Sequence, residues 1–261
     1  ENAGLGEYEG LGMSRADCAQ ALYDQGLAKV FFVSDGPLMK RAIADGDLHA
    51  SSMIGITPTS LARKEVSLNT TRLVVDATDA RALSRSFPDL ARQALQAADF
   101  ARRRIPGFEN AVFSGLAPRV GVRETRRIVG DYRLSDEDVA EGRKRDDGIA
   151  KGAHEIDVHL AGAGHVRQPI RDGGSYDIPY GALIPKGIGN AFVIGRCMSS
   201  SRIAHSSARV MGTCLATGQA AGTAAAMTAS PNGWDGDVRA VDIAELRNVL
   251  RAQGAVLDGT R

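Results

Sequence analysis

Met211 to Ala229 carries no charged residue and is about as long as a helix that crosses a bilayer. Its residues are mostly glycine, alanine and threonine rather than leucine, isoleucine and phenylalanine, so its insertion energy is poor. The stretch therefore predicts a buried helix in a soluble core and no membrane role. Gly218 and Gly222 stand one helical turn apart within it, around Gln219, Ala220 and Ala221. Each glycine inside a helix costs roughly 1 kcal/mol relative to alanine. A fold tolerates that cost where a sheet, or a flat ligand, must come very close to the helix.

Just upstream, Ala191-Phe-Val-Ile194 is an apolar run ended by Gly195-Arg-Cys197. That pattern predicts a short strand buried on both faces. Open α/β sheets bind ligands beyond the carboxyl ends of their strands, which is where Gly195 and Arg196 fall. Glycine permits close approach there, and arginine offers a fork of donors to a phosphate or carbonyl. Ala204 to Met211 reads as a polar loop between this strand and the glycine-bearing helix. A structural turn explains Gly195-Arg196 equally well when it is taken alone.

The 261 residues allow one large domain or two modest ones. Lys and Arg total 32 against 31 Asp and Glu, a balance that gives no support for a nucleic-acid or membrane-surface partner. Cys18, Cys197 and Cys214 are widely spaced with no CxxC. Free thiols in a reducing compartment, and hence a cytoplasmic setting, fit best. The chain opens on Glu1 with no initiator methionine, as a processed or truncated product does, so a removed leader stays open.

Along the chain, Ser14 caps a helix reaching about Gln25. Ala28 to Val33 is a strand, and Pro37 opens a helix ending near Gly46. Met53 to Ile56 and Leu73 to Val75 read as strands, with Val66 to Leu68 a weaker one between them. Asp79 or Ser84 opens a helical region. Pro88 starts a stronger helix to about Arg104, with Leu90, Ala94, Leu95, Ala98 and Ala101 at helical spacing. Arg102, Arg103 and Arg104 then meet the negative end of the helix dipole. Ala117 to Ile128 returns to a sheet, and Ser135 caps a short helix. Ile149 to Leu160 reads as a strand, Gly162 to Gly174 as a loop and Ile178 to Leu183 as a strand. Ala244 to about Ala252 is the last helix, with Gly254 after it.

Other residues carry possible chemistry. Arg123, Arg126 and Arg127 flank Glu124, and an ion-pair network or a grip on an anion both fit them. His205 is a polar residue that can exchange a proton near neutral pH, although a lone histidine is more often a structural hydrogen-bonder. Asp157 and His159 share a strand face and, with His165, form the weakest candidate, a metal site without further ligands in view.

Taken in order, Gly121-Val-Arg-Glu-Thr-Arg-Arg-Ile-Val-Gly-Asp-Tyr-Arg-Leu, Ile156-Asp-Val-His, Ile178-Pro-Tyr, Gly195-Arg-Cys, Arg209-Val-Met and Gly218-Gln-Ala-Ala-Gly resemble the motif set of the bacterial FAD-dependent oxidoreductases. Ala28-Lys-Val-Phe-Phe-Val and Asn69-Thr-Thr-Arg are similar to that family's substrate-covering region, and Leu246 to Leu257 to its end. The resemblance implies an α/β fold. Residues 1–110 would be an α+β cap. Residues 111–261 would be the C-terminal part of a Rossmann-like FAD-binding domain.

It also implies FAD as cofactor, a small organic substrate and hydride transfer to the flavin. Gly195, Arg196, Cys197, Arg209, Met211, Gly218, Gln219 and Ala220 would bind the cofactor, with Gly218 to Ala220 at a helix start under the flavin. His205 and Arg126 would be catalytic. Where some relatives carry a further histidine, this chain has Arg202, which implies either a different chemistry or a grip on an anionic substrate.

No GxGxxG follows a strand anywhere in the chain. The N-terminal FAD-binding half would then come from the same precursor or from a separate chain, and these residues alone would bind FAD poorly and be inactive. Two other readings stay open: a non-catalytic subunit that completes a flavoprotein, and a metal-dependent hydrolase using Asp157, His159 and His165.

Overall fold

The computed structural model describes residues 30–34, 36–50, 53–160, 164–229 and 236–259. The expected helix at Ser14 to Gln25, and Cys18, lie outside them. The chain divides into two bodies, 1–120 with 159–165, and 121–158 with 166–261.

In the first body, strands β1 (Val30–Val33), β2 (Met53–Ser60) and β3 (Glu65–Asn69) form an antiparallel sheet in that order. Register is set by pairs such as Phe32 with Ile54 and Ile56 with Leu68. Pro58 lies beyond the part of β2 that β1 pairs with, so its missing N–H costs no bond to that neighbour. Helix α1 (Pro37–Ala44) starts on its proline, and Gly46 takes the left-handed conformation just after its end. Met39, Ala42, Leu48, Ile54, Ile56, Ala97, Phe100, Ala101 and Ile105 form the core.

Helix α2 runs unbroken from Ala80 to Arg104, capped by the Asp79 carboxylate. Pro88 sits inside it rather than at its start. Pro88 and Ser84 are both exposed, so water can satisfy the carbonyl the proline leaves unbonded. The buried face is Ser86, Ala97, Phe100 and Ala101, while Leu95 is exposed. Only Ala101 of the expected apolar stripe lies deep in the core. Arg103 and Arg104 both pair with Asp47, at 3.2 and 2.7 Å, a tertiary clamp beyond the dipole role expected. Leu73 to Val75 is not a strand. These residues find no pairing partner among the described residues and stay exposed.

The second body holds helices α3 (Asp136–Ala140), α4 (Arg202–Ala208), α5 (Met211–Thr228) and α6 (Ile243–Ala252). Strands β4 (Gly148–Gly152) and β7 (Tyr176–Pro179) pair antiparallel. Strands β5 (Ile156–His159) and β6 (His165–Gln168) form a second two-stranded sheet. The expected strand from Ile149 to Leu160 is thus two strands, the expected loop after it contains β6, and Ile178 to Leu183 is the end of β7 followed by one 3₁₀ turn. Ser135 and Asp138 cap α3 reciprocally. Tyr176, Ile178, Leu183, Ile149, Met198, Leu246 and Leu250 are fully buried in one core.

Two strand expectations fail here. Ala117 to Ile128 and Ala191 to Ile194 contain no strand. The second run makes one sheet-like bond, from Val193 N–H to the Leu183 carbonyl at 2.8 Å, and Ile194 is largely exposed. A run of apolar residues becomes a strand only when another strand lies alongside, and among the described residues none does. The fold is nonetheless the mixed α/β class expected, with its described sheets small and antiparallel.

Candidate functional site

Gly195, Arg196 and Cys197 form one 3₁₀ turn, with Gly195 at φ +61°. A side chain is strained in that conformation, while a β-carbon there would meet Cys214 only at ordinary contact distance. The Gly195 N–H donates to the Thr217 hydroxyl at 3.2 Å. The turn is therefore fixed directly to α5, as the glycine-bearing helix requires if the two act together.

Helix α5 starts at Met211, after Val210, with no side chain capping its first turn. Its buried side is Thr213, Thr217, Ala220, Ala221 and Ala224. Its other side is open: Met211 is 83 % and Leu215 74 % exposed. A β-carbon added at Gly212 or Gly222 would touch nothing, and one at Gly218 would touch only Ile194 at 3.6 Å. Among the described residues, tight packing thus does not explain these glycines. A helix apolar on all sides is normally covered on all sides.

Gly218, Gln219 and Ala220 lie two turns inside α5, not at its start. The dipole acts over the first turn, so Met211, Gly212 and Thr213 occupy its positive end instead. Ala220 is buried, and Gln219 donates to Gln253 at 3.1 Å. Cys197 is partly buried and its carbonyl accepts from Ile128 N–H at 3.0 Å. The Arg196 guanidinium donates to the Val122 carbonyl, which ties the turn to the segment that follows Gly121.

His205 lies in helix α4 rather than in a loop. Ser201 caps that helix, donating in turn to Asp136. The imidazole is 1 % exposed. Nε2 lies 2.9 Å from the Arg196 carbonyl. A carbonyl only accepts, so Nε2 carries the proton. Nδ1 is then a lone pair, buried and with no hydrogen-bond partner among the described residues, 3.6 Å from a Glu124 carboxylate oxygen. Burial, with Arg127 and Arg209 nearby, pushes the imidazole down to about 4, against the pull of the Arg196 carbonyl and Glu124. His205 is therefore neutral at neutral pH.

Around it, Glu124 faces Arg127 at 3.5 Å and Arg202 at 3.6 Å. Arg209 donates to the Asp157 carbonyl at 3.2 Å, and burial, with Arg123 close by, lowers its pKa. Arg123 lies 4.0 Å from the Asp157 carboxylate. Arg126 is exposed and makes no ion pair among the described residues. Glu124, Arg202 and Thr217 were legible as residue types. Their convergence on His205 and on the turn comes from α4 and α5, and the sequence pattern shows only α5.

The boundary between the two bodies falls inside β5, so Asp157 belongs to the second and His159 and His165 to the first. In the first body the histidine rings stack at 4.7 Å, and Arg72 donates to His159 Nδ1 at 2.8 Å. In the second, Arg167 lies 3.9 Å from Asp157. Guanidinium groups at both places are a poor setting for a metal cation.

In this mixed α/β chain an open, glycine-bearing helix face lies beside a Gly-Arg turn. The family model described as FAD dependent oxidoreductase matches residues 23–250. The chain belongs to that family, and its function is a flavin-dependent redox one. Comparisons with curated proteins and with solved structures give no significant match. No helix among the described residues is long and apolar enough to cross a membrane.

Proposed function

We propose that the open side of α5, together with the Gly195–Cys197 turn, forms one wall of the FAD site of an enzyme that oxidises a small organic substrate. The observation that carries this reading is the row Met211, Gly212, Leu215, Gly218 and Gly222. It is apolar, uncovered and lacks the side chains that would keep a flat ring away. The free N–H groups of the first turn of α5 favour negative charge. FAD bound there would supply a two-electron acceptor for the hydride of a substrate C–H bond, while the adjacent O–H or N–H of the substrate would lose its proton to the protein or solvent. This chain's residues contribute position and electrostatics: the turn is fixed by Thr217, and neutral His205 holds the Arg196 carbonyl.

The partner that fits best is an N-terminal FAD-binding half carrying the glycine-rich phosphate loop, which these 261 residues lack. Met211 and Leu215 give it an apolar surface to cover. Gly212→Asp tests the reading. An acid at the N-terminus of α5 leaves the helix itself stable but opposes the anionic reduced flavin. After reconstitution with FAD, the variant is expected to retain less flavin and to show a lower midpoint potential at unchanged thermal stability. Unchanged flavin retention and potential would remove this end of α5 from the site.

A further inference from the structure

The contacts around Glu124 are looser than the tightest ion pairs of the same body, as are those around Asp157. Arg143 reaches Asp138 at 2.6 Å, and Arg145 reaches Asp147 and Arg239 reaches Asp131 at 2.7 Å. Glu124 instead stands 3.5 and 3.6 Å from Arg127 and Arg202, well outside the range of a good charged hydrogen bond. It also faces the bare Nδ1 lone pair of His205 at 3.6 Å, one acceptor opposite another. A buried acceptor left without a donor costs about 1–3 kcal/mol. Arginines outnumber carboxylates in this neighbourhood, with Arg123 and Arg209 close behind. Glu124 belongs to a segment without helix or strand and is exposed, so its side chain is free to swing away.

We infer that Glu124 stands in for the carboxylate of a small 2-hydroxy acid. Arg127 and Arg202 take the ligand's carboxylate, and the neighbouring hydroxyl donates to His205 Nδ1. The hydroxyl supplies the donor that Nδ1 lacks among the described residues. A 2-amino acid supplies a donor too, but its ammonium is repelled by the surplus of arginine charge. This names the substrate class for the flavoenzyme reading, and rests on it only for the fate of the substrate. Binding itself needs no flavin.

The test is calorimetric titration of the full-length, FAD-free protein with 2-hydroxybutyrate, butyrate and 2-aminobutyrate. The hydroxy acid is expected to bind roughly fivefold or more tighter than butyrate, with the amino acid weakest. Arg202→Gln, at an exposed position, is expected to weaken 2-hydroxybutyrate about tenfold with an unchanged circular dichroism spectrum. Glu124→Gln is expected to bind it at least as tightly as wild type. No binding by wild type, equal affinity for butyrate, or an unaltered Arg202→Gln affinity would overturn the assignment. FAD retention is measured in parallel. If Arg202→Gln loses FAD but keeps 2-hydroxybutyrate, the arginines serve the cofactor's phosphates and the assignment also falls. Failure of Gly212→Asp to alter flavin retention bears on the flavin wall and leaves these titrations standing.

Discussion

Gly195 and Thr217 are joined by a hydrogen bond of 3.2 Å from the glycine N–H to the threonine hydroxyl. Through it the Gly-Arg-Cys turn and α5 become one rigid piece. Thr217 is fully buried, so Thr217→Val leaves a buried N–H without its acceptor at little change of shape. The expected loss is about 1–3 kcal/mol, read as a lower urea midpoint at constant slope. A midpoint equal to wild type would mean that the turn is held elsewhere.

Gly152 faces the ring of buried Tyr176, and a β-carbon there would overlap it. That ring cannot retreat, because its hydroxyl meets Ser207 at 2.8 Å and Ser207 donates to the His154 carbonyl. Gly152→Ala is expected to cost about 1–3 kcal/mol, although alanine normally suits a strand no worse than glycine. Thermal denaturation of the variant checks this, and an unshifted midpoint would place the ring elsewhere.

Gly222→Ala should act in the opposite direction. None of the described residues lies within reach of the added methyl, and α5 gains helix propensity, about 0.5–1 kcal/mol. Denaturation of the isolated chain is expected to show a gain. A loss would show that something already covers this face.

The pH dependence follows from His205. Its pKa in the fold is about 4, against about 6.5 in an unfolded chain. Between those values the unfolded chain binds a proton that the folded one excludes, so stability falls as pH falls. The limit is about 1.4 kcal/mol per pH unit, and the contribution is flat above about 6.5. His205→Gln keeps a donor for the Arg196 carbonyl and is expected to flatten that slope in urea titrations from pH 7 downwards (roughly to pH 4, the lower end of the window). An equal slope in variant and wild type would assign the acid sensitivity to other groups.

What the sequence made legible was local. The proline start of α1, the Ser135 cap, the glycine after α6 and the small-residue run of α5 each depend on neighbours a few residues away. Leu73 to Val75, Ala117 to Ile128 and Ala191 to Ile194 have strand composition, but a strand needs a distant partner that composition does not reveal. Helix α4 was missed because Arg202, His205, Ser206 and Ser207 look like a loop, while its face of Ala204, His205 and Ala208 is buried. The glycines of α5 pointed to close approach. Only the structure shows that, among the described residues, none packs closely against Gly212 or Gly222.

The decisive measurement is flavin retention by Gly222→Leu. Leucine at this position projects from α5 into open space and leaves the fold of the chain intact. Full-length wild type and variant are reconstituted with FAD, passed through gel filtration and compared by visible absorbance. A flavin spectrum in wild type and its loss in the variant is the predicted result. Equal flavin in both, or none in wild type, would contradict a cofactor wall on α5.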